Sequence, residues 1–155
     1  MPRPVPFPRS TANIAGHPLH VMLVPIPIVC FVGTLVSDLI YWKTANMIWA
    51  DMSAWAVSVG ALFGGLAAIL GLIDFLSEPR IRALRAAWVH FLCNVLVLLI
   101  AIVNAFVHSR DAWTSVVPTG LILSALTVAI LIVSGWNGWA MIYRHGVAVR
   151  PGEIP

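Results

Sequence analysis

The sequence predicts an all-α membrane protein: a bundle of four antiparallel transmembrane helices with both termini cytoplasmic. Composition, hydropathy and segment length all point to it. Of 155 residues, 60% are apolar and only 10% are Asp, Glu, Lys or Arg, whereas a soluble domain carries about 25% charge. Mean hydropathy is +0.93. Four segments reach the roughly 20 apolar residues that a bilayer span requires. This composition excludes an ordinary cytosolic enzyme, a disordered tail and a secreted disulfide scaffold. The net charge of +3 reads as a topology signal rather than a nucleic-acid surface, so the expected environment is lipid.

Residues 1–16 form a proline-rich cytoplasmic arm. Pro2, Pro4, Pro6 and Pro8 favour an extended chain, and the apolar stretch and cleavage site of a signal peptide are missing. The arm is either a free tail or a docking strand for a partner. Residues 17–146 form the transmembrane domain, and residues 147–155 a cytoplasmic tail. The first span covers about His20 to Trp42. Pro25 and Pro27 inside it are expected to kink or unwind it, freeing carbonyls. The second span covers about Ala54 to Leu76, with Gly60, Gly64, Ala67 and Gly71 on one face. Small residues at that spacing let helices approach closely, first within the chain and second in a homo-oligomer. The third span covers about Trp88 to His108, with Pro79 expected in its first turn. The fourth covers about Pro118 to Ile142, with Pro118 in the same role. No span repeats another closely in sequence. Cys30 and Cys93 lie in apolar runs and read as packing residues.

Orientation follows from the basic residues. Arg3, Arg9, Arg80, Arg82, Arg85, Arg144 and Arg150 fall on one side, and only Lys43 and Arg110 on the other. The richer side is cytoplasmic. Tyr41, Trp42, Trp49, Trp55 and Trp113 then mark the outer interface, and Trp88, Trp136, Trp139 and Tyr143 the inner one.

Ionisable groups inside a bilayer are costly and mark function by default. His17 and His20 precede or open span one, Asp74 closes span two, His90 and Asn94 open span three, and His145 follows span four. All share the cytoplasmic layer. On span three, His90, Asn94, Ala101, Asn104 and His108 fall within about 40° of one line at 100° per residue. His90 and His108 are 18 residues apart, as are His20 and Asp38, a rise of about 27 Å. Spans one and three therefore face each other with His20 beside His90 inside and Asp38 beside His108 outside. The outer pair reads as an ion pair or hydrogen bond, and Asp74 is expected near Arg82 or Arg85.

The inner layer carries the candidate chemistry. In His17-Pro18-Leu19-His20, Pro18 suits a first helical position, with His17 at the cap. Neutral imidazole is a common metal ligand, so His17, His20, Asp74, His90 and His145 form one candidate set for a transition-metal ion. Alternatively, His20 and His90 are the two axial ligands of one b-type haem, with His17, Asp74, Asn94 and His145 orienting them. The residues leave haem and bare metal open.

The stretches GHPLHVMLVPIPI, GLIDF around Asp74, WVHFLCN around His90 and SGWNGWAMIYRHGVAV at the end, together with Asp38, resemble a bacterial membrane-protein family known as domain of unknown function 2231. The likeness runs from about Gly16 to Val149. Val21 stands where the family often has a second proline, and Asn137-Gly138 where it often has paired glycines. The resemblance implies a multi-pass protein of the bacterial inner membrane. It places His17, His20, Asp38, Asp74, His90, Asn94, Tyr143 and His145 at the family's polar motif positions. Relatives fused to Rieske or cytochrome c modules imply an electron-transfer setting with a redox partner protein. The leading reading is a small membrane redox module without catalytic activity of its own. The alternatives are a proton or ion path along span three, or a structural accessory subunit.

Overall fold

In the computed structural model, residues 8 and 10–148 are described. The prolines of residues 1–7, and the tail beyond residue 148, lie outside them. Four helical spans are long and apolar enough to cross a membrane: Leu19–Thr44, Met47–Ser77, Arg85–His108 and Trp113–His145. The expected four-span architecture is present.

A two-stranded hairpin opens the described chain, β1 (Asn13–Ile14) against β2 (His17–Pro18). The first span then comprises α1 (Leu19–Leu23) and α2 (Pro25–Thr44), broken at Val24. The break falls directly before Pro25, where the prolines lead one to expect it. Pro25 is the first residue of α2 and Pro27 the third, so both fall in a first turn, where a missing N–H costs little. Val24 and Ile28 still donate to His20 O and Val24 O at 3.1 and 3.3 Å, so few carbonyls are freed. Pro18 likewise precedes its helix as the cap residue, which leaves His17 in the hairpin.

A left-handed Ala45 (φ 50°) ends α2, and the Asn46 side chain accepts from Ile48 N to start α3 (Met47–Ser77). Glu78 caps a separate short helix, α4 (Pro79–Arg82), so Pro79 opens that helix and not span three. Hydrogen bonds from Arg80 hold the Glu78 carboxyl well below its usual range, at about 2. Next come α5 (Arg85–His108), a 3-10 turn (Ala112–Ser115) and α6 (Thr119–His145), with Pro118 as its cap residue. Gly146, at φ 63°, ends α6 in a conformation that glycine adopts freely.

The bundle encloses polar side chains beside its apolar clusters and turns large apolar side chains outward. Thr34, Ser37, Asp38, Ser53, Asn104, His108, Ser124, Thr127 and Ser134 are buried, while Val29, Trp55, Phe106, Ile132 and many more large apolar side chains are exposed. That inversion suits a chain whose solvent is hydrocarbon, where interior polar groups must find partners within the protein. Neighbours pack in the closed order α2–α3–α5–α6–α2. The small face of α3 works within the chain. A Cβ at Gly60 would meet Phe31 at 2.8 Å, and one at Gly64 would meet Leu98 at 3.0 Å.

Burial follows a repeat that the residue identities hide. The buried positions of α2 include Pro27, Phe31, Thr34, Ser37 and Asp38. Those of α5 include Val97, Ala101, Asn104, Val107 and His108, each 70 positions later. Buried Ser53, Val57, Gly60 and Ala67 of α3 are matched 67 positions later by Gly120, Ser124, Thr127 and Ser134 of α6. The hairpins α2–α3 and α5–α6 therefore present the same face in the same register. They are related by a pseudo-two-fold axis along the bundle, although no two spans share a sequence. Phe31, Val57, Val97 and Ala101 pack as one cluster at the middle of that axis.

Candidate functional site

Two polar sites lie on the axis, one on each side of the central apolar cluster. At the end holding both described chain ends, His20 of α1 and His90 of α5 face each other, as the 18-residue spacings predict. Their ring centres are 6.1 Å apart and their planes perpendicular. His20 Nδ1 lies 2.7 Å from Ala67 O, and His90 Nδ1 lies 2.9 Å from Ser134 O. A carbonyl can only accept, so each Nδ1 carries a hydrogen, and in the neutral ring the lone pair is on Nε2.

Glycine makes room for both rings. A Cβ at Gly71 would lie 2.9 Å from His20 Cε1 and Nδ1, and one at Gly138 would lie 3.1 Å from His90 Cε1. Each pair obeys the repeat. The histidines are 70 positions apart, and the carbonyls (Ala67, Ser134) and the glycines (Gly71, Gly138) are 67 apart. The symmetry fails at two groups. Ser134 Oγ lies 3.0 Å from His90 Nδ1, where Ala67 has no hydroxyl. Asn94 Nδ2 lies 3.0 Å from His90 Nε2 and donates to His90 O at 2.9 Å. The position 70 residues earlier is Val24, which has no polar side chain. A cavity of about 420 Å3 adjoins both imidazoles, and Asn94, Phe31, Gly64 and Leu98 also line it.

The other residues expected in this layer are placed differently. His17 is exposed in β2, and His145 is exposed at the end of α6. Tyr143 is exposed and stacks on Trp139 at 5.1 Å, at the cavity's edge. Asp74 does not meet Arg82 or Arg85. Its Oδ1 accepts from the backbone N–H of Thr11 and Ala12 at 2.7 and 2.8 Å, and its Oδ2 from Ser10 Oγ at 2.7 Å. The arm thus folds back over the cavity, and Pro8 O accepts from Ala148 N at 2.9 Å. Consequently, the five-residue metal set does not gather: among the described residues no three His, Cys, Asp or Glu side chains converge to hold a metal ion.

At the far end, Asp38 and His108 pair at 2.9 Å with both side chains fully enclosed. His108 Nδ1 donates to Asn104 O at 2.9 Å. His108 Nε2 lies 2.9 Å from Asp38 Oδ1 and 2.8 Å from Ser53 Oγ. Ser124 Oγ donates to Asp38 Oδ2 at 2.6 Å, and Ser53 Oγ donates to Asp38 Oδ1. Asn104 Nδ2 donates to Ser124 Oγ at 2.9 Å, and Asn104 Oδ1 has no partner among the described residues. Tyr41, Ala50 and Val116 close this end. Sequence reasoning found the pair but missed Ser53, Ser124 and the arm's contact with Asp74. It read Ala67 and Gly71 only as packing residues, and Gly138 only as part of a departure from the family's paired glycines.

The model of the family described as a predicted membrane protein, domain of unknown function 2231, matches residues 16–151. The chain belongs to that family. No curated protein and no solved structure matches it. Membership and the four apolar spans make this a predicted multi-pass membrane protein, resident in a lipid bilayer.

Proposed function

We propose that the protein is a small redox module of the bacterial inner membrane, holding one b-type haem between His20 and His90 on the cytoplasmic side. One observation carries the reading. Two imidazoles face each other across a pseudo-symmetry axis, each with its Nδ1–H fixed by a carbonyl of the neighbouring helix and its ring seated on a glycine. Such backbone bonds orient metal-ligating histidines and raise their basicity.

The donor set favours haem over a bare ion. A tetrahedral metal site needs four ligands, whereas a haem needs only axial ones from the protein. Both imidazoles line the same cavity with ring centres 6.1 Å apart, so one group bound there would be within reach of both. The adjoining cavity is mostly apolar in its lining. When bound, the haem supplies one-electron exchange, and a redox protein is the partner. His20 and His90 would hold it, the Ala67 and Ser134 carbonyls would orient them, and the arm anchored on Asp74 would shield the mouth from water. Both termini are cytoplasmic, by the basic-residue asymmetry.

An absorption spectrum of the purified protein tests this. A Soret band is expected in the wild type and in His108→Ala, whose layer lies about 27 Å away along the helix. It is expected to vanish in the His20→Ala/His90→Ala double variant. A folded, colourless wild type refutes the haem. A coloured double variant moves the site elsewhere. A reporter fused to the C-terminus is expected to read out as cytoplasmic, and a periplasmic signal refutes the orientation.

A further inference from the structure

The two histidines are equivalent in position but not in chemistry. Around His20, the described hydrogen bond goes to Nδ1, and Val24 stands where an amide would reach Nε2. Around His90, the Asn94 amide lies against Nε2 itself at 3.0 Å, with its other N–H anchored on His90 O, one turn back on the same helix. A lone pair that accepts from an amide is withheld from a metal. Binding through His90 must first break that bond, whereas binding through His20 breaks none. Both imidazoles adjoin the same cavity, and so does Asn94.

We propose, building on the haem reading, that His20 is the permanent ligand and His90 an exchangeable one held back by Asn94. The coordination position on the His90 side then accepts a small diatomic ligand of the carbon monoxide, nitric oxide or oxygen class. The exchange is balanced: the lone pair of the incoming molecule replaces that of His90 Nε2, which returns to the Asn94 N–H. The same amide is placed to donate to the bound molecule, and the neighbouring side chains Phe31 and Leu98 are apolar, as suits a small neutral ligand. Asn94 is a positioning residue here, since it acts through His90.

Carbon monoxide is the probe, added to the purified, dithionite-reduced protein and followed by its absorption spectrum. The wild type is expected to bind it. Asn94→Leu is expected to retain haem, to shift toward the six-coordinate low-spin spectrum, and to bind carbon monoxide about two- to tenfold more weakly, the range one hydrogen bond spans. His90→Ala is expected to keep its haem and bind carbon monoxide at least as tightly as the wild type, while His20→Ala loses haem. A coloured wild type that is six-coordinate and indifferent to carbon monoxide overturns the inference alone, as does loss of haem in His90→Ala. An Asn94→Leu spectrum identical to wild type also overturns it, because a purely structural asparagine leaves the coordination equilibrium unmoved. A colourless wild type overturns the haem reading and this inference together.

Discussion

Replacing Gly71 by Ala tests whether the seat beneath His20 is as tight as the geometry states. The new Cβ would lie 2.9 Å from His20 Cε1 and Nδ1 and 3.4 Å from Cγ. The clash is with the near side of a ring, so a small torsion does not relieve it. Overpacking of this kind costs about 1–3 kcal/mol. If the ring swings away, it loses its 2.7 Å bond to Ala67 O, worth about 0.5–1.5 kcal/mol. Against this, Ala gains about 0.5–1 kcal/mol over Gly within a helix. The net expectation is a loss of about 1–2 kcal/mol.

The same helix supplies the control. A Cβ at Gly65 meets nothing within 4 Å, so Gly65→Ala is expected to gain about 0.5–1 kcal/mol. Gly138→Ala, with contacts of 3.1 and 3.2 Å to His90, is expected to fall between the two. Reversible unfolding of each variant in mixed detergent micelles measures the order. The order matters more than the absolute values, because the propensity term is common to all three. Gly71→Ala as stable as Gly65→Ala would refute the seat.

Removing one partner of the enclosed Asp38–His108 pair strands the other, so Asp38→Asn and His108→Gln should each cost about 3–5 kcal/mol. The double variant should cost clearly less than their sum in the same unfolding assay, and strict additivity would sink the pairing. Gly120→Ala should cost about 1–3 kcal/mol in the same assay, because a Cβ there would lie 2.8 Å from His108 Cε1 and 2.8 Å from the Ser115 carbonyl oxygen; a neutral Gly120→Ala would argue against that close packing. Asp74→Ala should release the arm and lower amide-exchange protection at Thr11 and Ala12 about tenfold or more, by loss of charge-assisted hydrogen bonds. Unchanged protection there would mean that Asp74 does not anchor it.

What the sequence made legible was periodicity and depth. Hydropathy located all four spans, but α3 begins at Met47 rather than near Ala54, because Asn46 caps it and the polar Asp51 and Ser53 obscure the first two turns. The 18-residue spacings placed His20 beside His90 and Asp38 beside His108. Spacing along one helix said nothing about the partners of Asp74, since two of them are backbone amides more than sixty residues away. It said equally little about Ala67 O and Ser134 O, which any residue provides. The two-fold register was invisible for a related reason. Phe31 corresponds to Ala101 and Asp38 to His108, so equivalent positions share burial but not residue type.

Those unlike pairs also explain what one continuous chain gains over a pair of identical hairpins. In a symmetric dimer, the residue on the axis meets its own copy. Asp38 would face a second Asp38 in an enclosed site, and His108 a second His108, and either pair of like charges is costly there. With both hairpins in one chain, an acid meets a base at 2.9 Å. The same freedom puts Phe31 against Ala101, a large residue against a small one. Two Phe31 side chains would overfill that layer, and two alanines would leave a void. The Phe31–Val97–Ala101 layer also interrupts the polar line of span three between Asn94 and Asn104. The two axial sites are therefore separated by packed hydrocarbon, which argues against a proton path running the length of the bundle. At the His20–His90 end, the broken equivalence of Val24 and Asn94 leaves one imidazole open and one engaged. An identical pair could not make that distinction.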